Sequence, residues 1–471
     1  MPQETHRPAF AGRDKPSVSY GLPFPLTLLH HASSTFGATR LYVLCSASLA
    51  RDNPQHLTSL KDTLSSKVAG TRVGLKPHTR WSEVLEVVRE ARDLDVDLLV
   101  TLGAGSLTDA AKIVSLALAN DATTPEDLES LLPDPAANGT SRSDHTATRN
   151  IKPSRIPVVC IPTSLSGGEY SAFAGATKDD DGRKYSFSGP AMSPPSLVIL
   201  DPTLVQCTPA RVWLSTGVKA VDHCVETLCS LKSDDAADAD ARHGLTRLVP
   251  GLLRCAKDKE GTDEDARLVC QLGAIDAMSA ATRGVPLGAS HGIGHQLGPA
   301  GVSHGETSCI LLPAVCKYNY QRDANRERQR AVQRLLWEDQ EAQAIFEQRG
   351  LKQNETDLGD LLDIFIRTLG MPRTLKEFGI GKDKLGGIVK HSLHDRWVKT
   401  NPARLDEQGG DGDSDNGARI KECRHGSSYS DIPKRVISRQ TPPKRELKLL
   451  KQAKCTPRCK CKSEALPCAP P

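Results

Sequence analysis

Between residues 17 and 120 the chain alternates short apolar runs with longer stretches whose apolar positions recur every three or four residues. Leu41–Cys45 (LYVLC) is a continuous apolar run that stops at the small residues Ser46, Ala47 and Ser48, and Arg72–Lys76 (RVGLK) reads as the next strand. In WSEVLEVVREARDLDVD, Leu85, Val88 and Ala91 share one side of a helix. DLLVTLGAGSLTDAAKIVSLALA opens as a buried strand and continues as an amphipathic helix. Short apolar runs bounded by turn residues fit strands buried on both faces, and their repeated alternation with helices predicts a parallel sheet covered on both sides.

The rhythm breaks over residues 121–154, where Pro, Asp, Ser, Asn and Gly predict a surface insertion, and resumes with the strands IPVVCIPTS and LVILDP (Leu197–Pro202). Beyond Asp201 the periodicity is helical throughout, as in ARLVCQLGAIDAMSAATRG and LGDLLDIFIRTLG. The pattern predicts a flexible N-terminus (1–16), an α/β domain (17–204), an all-α domain (205–404) and a disordered tail (405–471) poor in large apolar residues.

Composition narrows the function classes. With 38% hydrophobic and 25% charged residues the chain supports folded cores. No window holds the roughly 18 apolar residues that a spanning helix needs. The N-terminus lacks the basic-then-apolar layout of a secretory signal, and Glu4 and Asp14 weigh against a mitochondrial presequence, so a cytoplasmic protein is expected. The net charge of +4 divides into −1 for residues 1–404 and +5 for the tail, so the body has no basic field for nucleic acid. Nine of the 14 cysteines are scattered through apolar runs of the body, the pattern of buried free thiols. In the tail, Cys455, Cys459, Cys461 and Cys468 lack the paired spacing of a zinc site.

Three clusters carry candidate chemistry. Gly103, Gly105 and Ser106 lie between a strand and a helix, with Asp109 and Lys112 in the following turns. Such a turn lets a phosphate approach the helix N-terminus, although a tight turn capped by Ser106 satisfies the same pattern. Thr163, Ser164, Ser166, Gly167 and Gly168 follow the strand IPVVCIP in the same way, and two such loops beyond strand carboxyl ends face one crevice, which favours a dinucleotide. The third cluster is His291, His295 and His304, with His223 upstream. If HGIGH is helical, His291 and His295 share a face and can ligate a metal, relay protons or bind carboxylates.

These residues carry a family resemblance. GAGSLTDAAK, IPTSLSGGEYSAFAGAT, LVILDPTLVQCTPARVWLSTGVKAVDHCVETLCS and GASHGIGHQLGPAGVSHGETSCILLPAVCKYN, followed by LGMPRTLKEFGI and NPAR, resemble the iron-type (group III) alcohol dehydrogenase superfamily, and within it the maleylacetate reductases. The resemblance spans about residues 17–404 in order. It implies a dehydroquinate synthase-like architecture, with an N-terminal dinucleotide-binding domain, a helical C-terminal domain and a cleft between them. It also implies a homodimer.

By the same resemblance, Gly103, Gly105, Ser106 and Asp109 border the cofactor pyrophosphate and ribose, and Thr163, Ser164 and Ser166 line the opposite wall. Metal-dependent relatives hold a divalent ion with one Asp and three His. The histidines match His223, His291 and His304, but the Asp position is Lys219. A protonated amine has no lone pair and repels a cation. Lys219 is one helical turn from His223 and is expected in the same pocket, the alternative being an outward, solvated stem. Asp222 is rotated about 100° away and is a poor substitute ligand.

The expectation is therefore a metal-free, cationic cleft of lysine and histidines that binds a small dicarboxylate. Maleylacetate is reduced there to 3-oxoadipate, late in the breakdown of aromatic rings, with His295 delivering the proton. Where NAD-selective relatives place an Asp, this chain has Ser46, so NADH and NADPH are both expected to serve. The alternatives are a metal-dependent (Fe or Zn) alcohol or hydroxyacid dehydrogenase, and a dinucleotide-binding protein without catalysis. The tail departs from the family's final amphipathic helix, as expected of either an evolved extension or, the favoured reading, a reading frame that leaves the genuine transcript.

Overall fold

The computed structural model describes residues 3–76, 79–133, 150–406 and 418–419. Residues 134–149 of the expected insertion, and nearly all of the expected disordered tail, lie outside the described residues.

Nine strands and six helices build the first half. The strands are β1 (Thr5–Pro8), β2 (Ser17–Tyr20), β3 (Leu41–Cys45), β4 (Val68–Val73), β5 (Leu98–Gly103), β6 (Val158–Pro162), β7 (Ala174–Thr177), β8 (Lys184–Phe187) and β9 (Leu197–Ile199). The helices are α1 (Phe24–Ser34), α2 (Ala47–Asp52), α3 (Pro54–Leu64), α4 (Trp81–Asp93), α5 (Gly105–Ala119) and α6 (Pro125–Ser130). The main sheet runs β1-β2-β9-β6-β5-β3-β4, parallel except for β1, while β7 and β8 form a separate antiparallel hairpin.

The two-residue period of the strands sorts their side chains. Leu41, Val43, Leu98, Val100, Leu102, Val159, Ile161, Leu197 and Ile199 join one core with α1 and α3, and Tyr42, Leu44, Leu99, Val158, Cys160 and Val198 join another with α4 and α5. Both faces are buried, which is why the strands read as unbroken apolar runs.

Two expectations are corrected. Residues 3–16 are not a loose leader, because β1 pairs with β2 and the Glu4 carboxylate accepts hydrogen bonds from Ser19 and, at 2.9 Å, from His31 Nε2. The second strand of the repeat is β4 at Val68–Val73, not Arg72–Lys76. It is a partly exposed edge strand, so no apolar run marks it. Its Gly70 leaves room for the Tyr42 ring, which would lie 2.7 Å from any Cβ there. Within the expected insertion, α6 is fixed by a Thr124–Asp127 capping box.

The second half is helical: α7 (Ala210–Cys229), α8 (Asp235–Lys257), α9 (Glu264–Ala281), α10 (Ala289–Leu297), α11 (His304–Gln321), α12 (Arg326–Glu338), α13 (Gln340–Gln348), α14 (Leu358–Thr368) and α15 (Lys382–Ser392). Every residue of α7 from Trp213 to Cys229 is buried, because α8, α9 and α11 pack around it. A helix enclosed on all sides normally carries only apolar residues. That α7 also buries Lys219, Asp222, His223 and Glu226 marks the helix as functional. At the junction, Asp201 accepts the Phe24, Thr203 and Leu204 N–H groups at 2.9, 2.9 and 3.0 Å. No helix among the described residues is long and apolar enough to cross a membrane.

Candidate active site

The sheet order places β4 on one side of β3 and β5 on the other, so the chain reverses its direction of growth between β3 and β5. In open α/β sheets ligands bind beyond the strand ends at such a point. The ends are level, with Cys45 opposite Leu102 and Gly103 opposite Pro162. Ser46 follows β3, donates its N–H to Leu102 O at 3.0 Å and caps α2 through its hydroxyl. Gly103 has φ +152°, and a Cβ there would meet Leu107 at 2.7 Å and Ser46 at 2.9 Å, so only glycine fits.

Helix α5 starts from Ala104 with no side-chain cap and no acid in its first turn. Ser106 is thus not the cap; its carbonyl accepts from Thr79 Oγ1 at 3.1 Å. The uncapped first turn suits an anion. Facing it, Thr163 donates its N–H to Gly103 O at 3.1 Å, and the Ser164 and Ser166 hydroxyls lie 2.9 Å apart. A Cβ on Gly105 would come no closer than 3.9 Å to anything, its nearest neighbour being Ser166, and one on Gly168 would come no closer than 3.9 Å to Gly105. The two glycine turns thus approach each other closely beside the uncapped first turn of α5, where backbone N–H groups can meet a nucleotide pyrophosphate.

Asp109, expected at the pyrophosphate, instead braces these turns. Its Oδ2 accepts the Gly175 N–H at 3.1 Å and its Oδ1 pairs with Lys112 Nζ at 3.1 Å. Lys112 is buried and also donates to Gly168 O at 2.9 Å and to Phe173 O, so the pair fastens the loop after β6 onto α5.

Within this loop, burial pushes the Glu169 carboxyl up from 4.5 to about 7, against weaker pulls from its own N–H and Lys112. A carboxyl raised in the folded state weakens folding as pH climbs from the unfolded value through the folded one. Glu169→Gln should therefore stabilise the protein by up to about 3 kcal/mol above pH 7 and by almost nothing near pH 4.5, as read from denaturant midpoints at both pH values.

Helices α7, α10 and α11 bring the second set together. HGIGH is helical, as expected. The ring centroids of His291 lie 5.2 Å from His223, 4.9 Å from His295 and 5.9 Å from His304, and His295 stacks parallel to His304 at 6.0 Å. Lys219 points inward, only 4% exposed, with Nζ 3.4 Å from His291 Nδ1. The outward stem is ruled out.

Burial lowers the Lys219 amine from 10.5 to about 8, offset in part by Asp222 and Glu226. Burial and then the Lys219 charge lower His223 from 6.5 to about 3. His291 is driven well below its usual range by burial first and Lys219 second, and His304 by Lys219 first and burial second. This corrects the expected cluster of cationic imidazoles. The His223 and His291 rings are neutral, the solvent-exposed His304 is held down chiefly by the Lys219 charge, and the positive charge rests on Lys219.

The donor set does not fit the divalent ion of metal-dependent relatives. Lys219 stands where their Asp would be, against His291. The alternative group Asp222, Glu226 and His291, whose ligand atoms lie within 4.8 Å of one another, is nearer than a 100° rotation suggested, but it is already engaged. The Glu226 oxygens accept the Gly288 and Ser290 N–H groups at 3.0 and 2.9 Å. Asp222 Oδ2 accepts the Ser290 and Ser308 hydroxyls at 3.2 and 2.6 Å. Of these four carboxylate oxygens, Asp222 Oδ1 alone is buried without a hydrogen-bond partner, and the Lys219 charge acts on the Asp222 carboxyl.

Sequence reasoning missed Glu226, Lys184 and Asp395, and weighed Asp222 only as a substitute ligand. Asp222 and Glu226 dock α10 onto α7. Lys184, on β8, passes its stem over Gly175, where a Cβ would lie 3.0 Å from Nζ, and its charge bears on Lys219 and His304. Among the described residues it has no ion pair. Asp395 lies 2.9 Å from His295 Nδ1, across 100 residues of sequence. No local pattern marks any of these; a lysine facing a glycine across a hairpin is the nearest thing to a signal.

Comparison with known proteins gives two family matches: residues 26–202 match the iron-containing alcohol dehydrogenase model, and residues 213–409 match the C-terminal model of the Fe-containing alcohol dehydrogenase family. The chain is 38% identical over 408 residues to the dehydrogenase FUM7 of Gibberella moniliformis, covering 83% of this chain and 94% of that protein. It is 35% identical over 385 residues to the dehydrogenase ALT3 of Alternaria alternata, covering 79% and 96%. Among solved structures, maleylacetate reductase from Rhizobium sp. strain MTP-10005 superposes with a TM-score of 0.60 at 22% identity, covering 83% of this chain and 91% of that one.

Proposed function

We propose, from the premise that this chain belongs to the iron-containing alcohol dehydrogenase family, that it is a metal-independent, NAD(P)H-dependent reductase converting 2-maleylacetate to 3-oxoadipate. It is an oxidoreductase of that family, and the uncapped start of α5 beside the two glycine turns supports a nucleotide cofactor there. The observation that carries the finer reading is Lys219: a buried ammonium, 3.4 Å from His291, at the position of the family's metal-binding acid. A solved neighbour of the same fold is itself a maleylacetate reductase, which supports the choice of diacid.

A bound nicotinamide supplies the hydride, two electrons with their hydrogen, to one carbon of the 2,3 double bond. The displaced π pair becomes enolate charge on the adjacent ketone. Lys219 faces that charge, in a water-poor site where a fixed cation acts strongly. The neutral His223, His291 and His304 offer N–H groups without adding repulsion to Lys219. His295 Nε2 gives the proton that completes the saturated carbon, so one NAD(P)H and one proton are consumed per alkene. Lys184 adds a second positive charge on the α/β side of the cleft, consistent with a substrate carrying two carboxylates.

The test is the loss of NAD(P)H absorbance with 2-maleylacetate, run beside a neutral enone and simple aldehydes. The diacid should exceed the neutral compounds in kcat/KM by at least ~100-fold, about 2.7 kcal/mol. Because Ser46 caps α2 and presents no carboxylate to a 2′-phosphate, NADH and NADPH should agree within the same factor. Equal turnover of neutral aldehydes would overturn the diacid assignment.

A further inference from the structure

His295 differs from the other three histidines of the cluster. Its side chain is 36% exposed, and, alone in the cluster, it has a nitrogen held by a carboxylate: Nδ1 lies 2.9 Å from Asp395 Oδ2. Nε2 has no hydrogen-bond partner among the described residues.

Asp395 is itself locked in place. Its Oδ1 accepts the Trp397 N–H at 2.8 Å, so the carboxylate cannot rotate without stranding that donor. The turn that carries it sits directly on α10 because Gly292, between His291 and His295, has no side chain. A Cβ there would lie 2.7 Å from Val398 Cγ2, 2.8 Å from Val398 N and 3.0 Å from Asp395 Oδ1. The next residue, Arg396, packs its guanidinium over Trp397 at 4.3 Å and reaches the Phe173 ring at 5.9 Å, on the loop that Lys112 and Asp109 fasten to α5. One turn thus joins the proton-bearing helix to the loop beside the proposed cofactor site.

We propose that Asp395 is the positioning residue for His295: its carboxylate takes the Nδ1–H, fixes the ring and its tautomer, and leaves Nε2 as the nitrogen that meets substrate. This rests on the reading that His295 supplies the proton. A carboxylate can only accept a hydrogen bond, so it keeps one hydrogen on Nδ1, and the proton given to substrate is a second one, taken up from solvent at Nε2. An amide in its place inverts that choice. With Oδ1 still required by Trp397, the amide NH2 would face Nδ1 and make it an acceptor, which disfavours the doubly protonated ring and leaves the Nε2 proton on a neutral imidazole, a far weaker acid.

The test compares Asp395→Asn, Asp395→Glu and His295→Ala in the full-length protein. General acid catalysis contributes ~100-fold or more, so Asp395→Asn should lower kcat ~10–100-fold while KM for 2-maleylacetate and the Kd of NADH stay within ~3-fold. Asp395→Glu should recover most of kcat. Nitrogen-15 spectra should show the His295 proton moving from Nδ1 to Nε2 in Asp395→Asn, a change that a merely structural role would not produce. If His295→Ala keeps full kcat, the proton assignment itself fails. If His295→Ala is slow while Asp395→Asn is normal in rate and tautomer, only the role of Asp395 is overturned.

Discussion

Lys219→Met will raise KM for the diacid by ~30–100-fold and lower kcat, while NADH affinity stays unchanged. The substitution keeps the stem that α7 buries and deletes only the ammonium. A hydrogen bond to a charged group is worth about 1.5–3 kcal/mol, or ~10–150-fold, and the buried site strengthens it. The proposed cofactor site lies at the ends of β3, β5 and β6 and the start of α5, none of which carries Lys219, so binding measured by NADH fluorescence should not move. A second consequence separates this from general damage. Lys219 is the largest cause of the lowering at His304 and the second at His291 and His223, so those rings should titrate closer to their ordinary range in the variant. Proton NMR of the imidazoles reads that shift, and unchanged ring titration with unchanged KM would remove the amine from the pocket.

Lys219→Asp will convert the site into a metal centre. The ring centroids of His223 and His304 lie 5.2 and 5.9 Å from that of His291, whose Nδ1 is 3.4 Å from the Lys219 amine. Imidazole nitrogens bind zinc at about 2.0–2.1 Å, and a tetrahedral site needs one further donor, which a carboxylate at 219 provides. The exchange reverses the local charge, from one that repels a cation to one that attracts it. After equilibration with zinc and dialysis, the variant should retain about one ion per chain and the parent far less, as measured by plasma mass spectrometry. Reduction of the diacid should fall at least ~100-fold, because the carboxylate repels the substrate that the ammonium bound. Equal retention of zinc by the two proteins would show that residue 219 does not control the site.

Sequence pattern recovered the parts of the fold in which a single element carries its own signal. Leu41–Cys45 and Leu98–Gly103 are buried on both faces, and that burial is what an unbroken apolar run records. The helical spacing of His291 and His295, and of Lys219 and His223, correctly predicted shared faces because α10 and α7 are regular. The failures share a cause. β4 is half exposed and glycine-bearing, β1 is tied down by Glu4 through contacts made after folding, and Asp109 is taken up by a loop 66 residues away. Asp395 reaches His295 only because Gly292 lets a distant turn approach. Charge state was the least legible property. Four histidines and a lysine suggest a strongly cationic pocket, yet burial together with mutual repulsion leaves the inner rings neutral. What a residue type offers in water is not what it offers inside α7.

The claim on which the account turns is that an amine does here what a metal ion does in the metal-dependent relatives. The direct measurement is 2-maleylacetate reduction by protein dialysed against a strong chelator, with bound metal assayed on the same sample. Full turnover with far less than one ion per chain is the result expected from Lys219 seated against His291. Turnover that disappears on chelation and returns with stoichiometric iron or zinc would contradict it.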